Sequence, residues 1–145
     1  MTINNVFLNE VTKNHTPQAT ILIIDDDPEN LLLLSEILKD SYKINVANNG
    51  QVAIDALKQG HINPDLILLD ILMPGLSGYD VMDFLQENDA TGHIPVIFLT
   101  SMDDAEDERY GLLLGAVDYI SKPISAPVVL AHVKEHLENN KRPKN

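Results

Sequence analysis

The side chains best able to do chemistry in this chain stand where apolar runs stop. The stretch "ILIIDDDPEN" (21–30) breaks off in Asp25, Asp26 and Asp27; "LILLDILMPG" breaks off in Asp70; "VIFLTS" ends in Thr100 and Ser101; and "DYISKP" closes on Lys122 and Pro123. Adjacent carboxylates repel, the more so where water is partly excluded, so three in a row call for a reason beyond capping a helix. An oxygen-rich acidic set suits a hard divalent cation, Mg²⁺ above all, which takes few carboxylates and keeps several waters. A hydroxyl and an ammonium facing it suit an anion. Together these groups could place a phosphoryl group on a carboxylate: metal and lysine neutralise charge while the hydroxyl holds an oxygen. Taken singly, each has a plainer use. An Asp after a strand caps a helix or makes a turn, a Thr bonds nearby backbone, and a Lys is solvated. Compatible chemistry at four such ends is what carries the inference.

Elements must bring those ends together. Short apolar runs at 20–24, 43–47, 65–69, 95–99 and 116–120 read as strands. Helical periods fall near 28–39, 50–59, 78–87, 104–114 and 126–138. Wholly apolar strands alternating with helices indicate a parallel sheet covered on both faces. The fold class is α/β, a doubly wound five-stranded parallel sheet. Pro28 and Pro127 fit first helical positions. Leu31, Leu34, Ile37 and Leu38 give the first helix an inward stripe, and Val52, Ala53, Ala56 and Leu57 the second. In such sheets ligands collect beyond the carboxyl ends of the strands, near the switch in strand order. The expected organisation is an N-terminal extension over 1–18, read as a disordered leader with loose docking through Val6, Phe7 and Leu8 as the alternative, one domain over 19–139, and a polar tail or linker over 140–145.

With 145 residues the chain suits one core, and 22 acidic against 10 basic residues give a formal charge of -12. That charge repels phosphate backbones and anionic membranes, which argues against direct nucleic-acid binding and a membrane role. With no cysteine, thiol catalysis and thiolate metal sites are excluded. No signal segment or membrane span is evident, so a cytoplasmic protein is expected.

The stretches "ILIIDDDPEN", "PDLILLDILMPGLSGYD", "PVIFLTS" and "GAVDYISKP", in this order and spacing, resemble the receiver domain of two-component response regulators over residues 20–138. The resemblance implies a (βα)5 flavodoxin-like receiver fold with strand order 2-1-3-4-5. It implies that Asp70, ahead of Met73, Pro74 and Gly78, accepts phosphate from a sensor histidine kinase or phosphotransfer protein. Asp25 and Asp26 would be the metal pair, Asp26 ligating Mg²⁺ directly, with Asp70 and the Leu72 carbonyl as further ligands. Thr100 and Lys122 would complete the catalytic set. Pro123 becomes a cis-proline candidate, and Tyr119 with Thr100 an aromatic switch that repacks a surface of the fourth helix, fifth strand and fifth helix. That surface is a candidate homodimer face. No enzyme in the ordinary sense is implied, only self-catalysed phosphotransfer and autodephosphorylation. Leu72 and Met102 sit where related domains control water access, and both are apolar, so dephosphorylation is expected to be slow.

Alternatives come from other classes. A phosphoaspartate-type hydrolase would want a second acid where Leu72 stands. A flavin binder would want a Ser/Thr/Gly-rich loop where three aspartates stand. An unphosphorylated scaffold would not need the intact acid, Thr and Lys set. A regulatory piece of a longer effector, such as a cyclic-dinucleotide signalling enzyme, is compatible with the tail "HLENNKRPKN". The acids Asp103, Asp104, Glu106, Asp107 and Glu108 read as a solvated helix start. His132 and His136, four apart, have zinc-clamp spacing without an evident third ligand, and read as surface or half-buried histidines.

Overall fold

In the computed structural model, which describes residues 18–101 and 105–141 (105–107 and 141 as helix backbone only), five strands and five helices alternate. They are β1 (Thr20–Ile24), α1 (Pro28–Leu38), β2 (Lys43–Ala47), α2 (Gly50–Lys58), β3 (Leu66–Asp70), α3 (Gly78–Glu87), β4 (Val96–Thr100), α4 (Ala105–Leu113), β5 (Asp118–Ser121) and α5 (Ala126–Lys141). The strands form one parallel sheet in the order β2-β1-β3-β4-β5. The expected extension, with Val6, Phe7 and Leu8, lies outside the described residues except for its last position. Met102, Asp103 and Asp104 also lie outside them.

Alternation of side chains along the buried strands builds a core on each face of the sheet. Leu22, Ile24, Ile67, Leu69, Val96 and Phe98 point to one face, where they meet Ala53, Ile54, Val81, Met82 and Leu85 of α2 and α3. Ile21, Ile23, Leu66, Leu68, Ile97, Leu99 and Ile120 point to the other, where they meet Leu34 and Leu38 of α1 and Val129, Val133 and Leu137 of α5. Burial on both faces is why the central strands β1, β3 and β4 show no polar alternation.

Some boundaries differ from the sequence pattern. β3 and β4 each start and end one residue later than expected, so Asp70 and Thr100 are the last residues of their strands and belong to the ladder. β5 starts two residues later than expected, since its ladder with β4 begins at Asp118; Val117, whose N–H donates to the Val96 carbonyl at 2.9 Å, is 41% exposed. The inward face of α2 is Gly50, Ala53 and Ile54, while Val52 is 48% exposed. The Asn49 cap, which accepts from the Val52 N–H at 2.9 Å, sets that rotation. Pro127 is the second residue of α5, and that helix runs three residues past the expected end.

The turn from β3 into α3 is tight. The Gly78 N–H donates to the Ile71 carbonyl at 2.8 Å. A Cβ on Gly78 would lie 2.4 Å from the Asp70 carbonyl oxygen and 2.8 Å from Ile71 Cα, both backbone atoms that cannot swing away. Gly75, within the same turn, has φ 76°, the left-handed region. A Ser77–Asp80 capping box then starts α3. Gly78→Ala is expected to lower stability by about 1–3 kcal/mol through overpacking, read as a lower urea midpoint. An unchanged midpoint would show that the turn is not close-packed.

Candidate functional site

Strand order and connection direction place the acids together. From β1 the chain steps outward to β2, then returns across β1 to β3, so the ends of β1 and β3 flank the switch point. Asp25 follows β1 and is wholly buried; Asp70 ends β3 and is 3% exposed. Oxygens of Asp25, Asp26 and Asp70 all lie within 4.8 Å of one another, with Asp26 on the exposed side.

Lys122, just past β5, reaches across β4 to this cluster. Its Nζ lies 3.1 Å from Asp70 Oδ1 and 3.4 Å from Asp25 Oδ2. Its own N–H donates to the Thr100 carbonyl at 2.7 Å, which ties the lysine's backbone to the end of β4. The Lys122–Pro123 peptide bond is cis. Asp25 is held on both oxygens: Oδ1 accepts the Asp27 N–H at 2.9 Å and Oδ2 accepts the Asn30 side-chain amide at 3.3 Å. Asp27 caps α1, accepting the Glu29 N–H at 2.9 Å, with Pro28 as first helical residue. The aspartate triplet therefore divides into two pocket acids and a cap.

Thr100, 4% exposed, ends the strand beside β3. Thr100 and Tyr119 line one small cavity together with Ile71, Phe98 and Glu108. Tyr119 pairs with Phe98 in the β4–β5 ladder, and its hydroxyl is hydrogen-bonded to Glu108 of α4, which holds the phenol above its ordinary range. Tyr119 thus stands apart from the acid cluster, on the far side of Thr100. The Leu72 side chain is 60% exposed.

Burial first, and then the Asp25 charge, push the Asp70 carboxyl up to about 6, against the hydrogen bond and charge of Lys122. Burial alone would push Lys122 down; its hydrogen bond to Asp70 and the charges of Asp70 and Asp25 outweigh this and raise it. Three carboxylates face one ammonium, so the pocket has surplus negative charge and an all-oxygen donor set. Both fit a hard divalent cation.

Every residue expected in the pocket by side chain, Asp25, Asp26, Asp70, Thr100 and Lys122, lies at the carboxyl edge of the sheet. Sequence reasoning missed Asn30, whose signal was its place in the first turn of the helix following Asp25. It also missed Asp118, whose Oδ2 lies 2.7 Å from His132 Nδ1 and 2.9 Å from His136 Nε2. Period-two alternation in β5 puts Asp118 on the same face as Ile120, beneath α5, and that was legible in principle.

The fold and pocket define a doubly wound parallel α/β module with an acid–lysine site at its switch point. The chain belongs to the response regulator receiver domain family, whose model matches residues 21–134. It is 49% identical over 124 residues to a Vibrio cholerae protein named "Probable cyclic di-GMP phosphodiesterase", covering 86% of this chain and 28% of that protein. It is 37% identical over 117 residues to the response regulator PleD of Caulobacter vibrioides, covering 80% of this chain and 25% of PleD. Among solved structures, the signal receiver domain of a signal transduction histidine kinase from Syntrophus aciditrophicus superposes with a TM-score of 0.77 at 36% identity, covering 88% of this chain and 96% of that one. The chain thus spans about a quarter of the length of these two curated relatives. Among the described residues, no helix is long and apolar enough to cross a membrane.

The raised Asp70 has a consequence for stability. Its folded-state value lies above the unfolded value of 3.8, so the folded chain keeps this proton over a window in which the unfolded chain has lost it. The stabilisation is full below the unfolded value and is lost as pH rises through about 6. Without divalent metal, wild type should therefore lose about 1–3 kcal/mol relative to Asp70→Asn between about pH 4 and pH 7. Paired urea melts check this, and a constant difference across the window would contradict it.

Proposed function

We propose that this chain is a phosphoacceptor receiver in which Asp70 takes a phosphoryl group from the phosphohistidine of a sensor kinase or phosphotransfer protein. The observation that carries the reading is the buried Asp70 carboxylate at the end of β3, with Lys122 Nζ at 3.1 Å and the Asp25–Asp26 pair alongside. An Asp70 oxygen attacks phosphorus, the P–N bond breaks, and its electron pair returns to the donor imidazole, which takes up a proton. Lys122 orients the attacking carboxylate and offsets charge on the transferred group. The Thr100 hydroxyl, at the adjoining strand end, donates to a phosphoryl oxygen. Asp25, Asp26, Asp70 and the Leu72 carbonyl would hold Mg²⁺, which when bound supplies charge neutralisation at the phosphoryl oxygens. Catalysis is confined to the domain's own phosphorylation and dephosphorylation.

Movement of Thr100 toward the phosphoryl group would open space into which the Tyr119 ring turns, away from Glu108. The two arrangements make a two-state element biased by a local charge event. Leu112 and Leu113 on α4, Val117 before β5, and Val128 and Leu130 on α5 are exposed apolar residues on the elements that would repack. They support a protein-contact or homodimer face there. The charge of -12 argues against direct contact with nucleic acid. A cytoplasmic location, where kinase and phosphodonor would be met, fits the absence of cysteine. Because the relatives extend well beyond the matched part, a regulatory role within a longer effector, including a cyclic-dinucleotide enzyme, is a second reading.

Incubation with Mg²⁺ and acetyl phosphate should add one phosphoryl mass to the intact protein. Asp70→Asn should abolish the gain, and Asp26→Asn should remove its Mg²⁺ dependence or the gain itself. Undiminished labelling of Asp70→Asn would sink the assignment. With apolar Leu72 beside the acceptor, the adduct should persist for minutes or longer after phosphodonor removal; decay within seconds would contradict slow water access.

A further inference from the structure

The last helix carries an arrangement that phosphoryl chemistry does not use. His132 and His136 lie one turn apart on α5 and aim Nδ1 and Nε2, respectively, at one oxygen of Asp118. The other Asp118 oxygen accepts the Tyr119 N–H at 2.8 Å, which fixes the carboxylate plane and leaves Oδ2 to the histidines. The three groups sit between surface and core, with side chains 31%, 14% and 24% exposed for His132, His136 and Asp118. A single carboxylate–histidine pair is an ordinary tie between a strand and a helix. Two ring nitrogens and a carboxylate oxygen within 4.8 Å of one another, from two elements, form a donor set.

We infer that Asp118, His132 and His136 form a binding site for a borderline transition-metal dication of the Zn²⁺ class. Two imidazoles and one carboxylate are a known donor combination for such ions, at about 2.0–2.2 Å from each ligand atom, with a fourth position open to water. The two Asp118–histidine spacings, 2.7 and 2.9 Å, must widen by about 0.4–0.6 Å to become tetrahedral edges of about 3.3 Å. The Tyr119 N–H would act as the outer-shell partner that orients the ligating carboxylate. Asp118 opens β5 whereas Lys122 follows its end, so this site is separate from the acid pocket. It also differs in chemistry, since imidazole nitrogen selects Zn²⁺ over Mg²⁺. An ion here fixes α5 against the edge strand.

The test is calorimetric titration of the full, tag-free chain with Zn²⁺ in excess Mg²⁺, which occupies the oxygen-only pocket, with thermal melts in parallel. One saturable equivalent and a raised melting temperature are expected. His132→Gln and His136→Gln should each weaken binding at least about tenfold, and Asp26→Asn should leave it in place. Co²⁺ should give the intense visible bands of a four-coordinate nitrogen-containing site in wild type, which reads the site without any substitution. No saturable binding, binding indifferent to both histidine variants, binding lost in Asp26→Asn, or only the weak spectrum of six-coordinate Co²⁺ would each overturn the assignment.

Discussion

The structure turns on two carboxylates that the fold forces out of water beside each other. Asp25 and Asp70 are almost completely buried, a third acid adjoins them, and one lysine spans the pair. Like charges in a poorly solvated place disfavour ionisation, and the displaced Asp70 carboxyl is the direct sign of that cost. A purely structural design would put leucines there. An acid set that is uncomfortable alone is suited to a site completed by a cation and an incoming phosphoryl group, each of which supplies what the free pocket lacks.

Everything that delivers these groups is packing. Two apolar layers, one on each face of the sheet, fix the five strands in register, so the strand ends form a rigid edge. The switch between β1 and β3 sets Asp25 beside Asp70. The Lys122 N–H bond to the Thr100 carbonyl brings in the lysine. The tight Gly75–Gly78 turn lets the chain leave β3 without crowding Asp70. On the other side of Thr100, Tyr79 stacks edge-on with both Phe98 and Tyr110 at 5.7 and 5.0 Å, joining α3, β4 and α4 around the region where a switch would operate. Placement of Asp70 and of the Thr100–Tyr119 neighbourhood thus depends on the same edge.

Much of this was legible in the sequence because each strand ends at, or one residue past, the end of its apolar run. Uniform apolarity identified a sheet covered on both sides, and the residues closing the runs identified the pocket. Boundaries slipped where chemistry sits: Asp70 and Thr100 are polar by type but pair in the ladder, which a reading by hydrophobicity excludes. Val52 was misplaced because helix rotation is set by the Asn49 cap, which apolar spacing alone does not report. Asp118 went unnoticed as a partner for His132 and His136 because the three are joined only by docking of α5 on β5, a long-range fact. The Asn30 bond to Asp25 is local and was hidden only by the abundance of polar residues around it.

The central claim is that Asp70, among the three crowded carboxylates, carries the phosphoryl group. The most direct measurement is borohydride reduction of the protein after reaction with acetyl phosphate and Mg²⁺, followed by peptide sequencing in a mass spectrometer. An acyl phosphate at residue 70 is reduced to homoserine, and conversion at that position alone is predicted. Conversion at Asp25 or Asp26, or phosphoryl label resistant to reduction and retained on a histidine, would contradict the account.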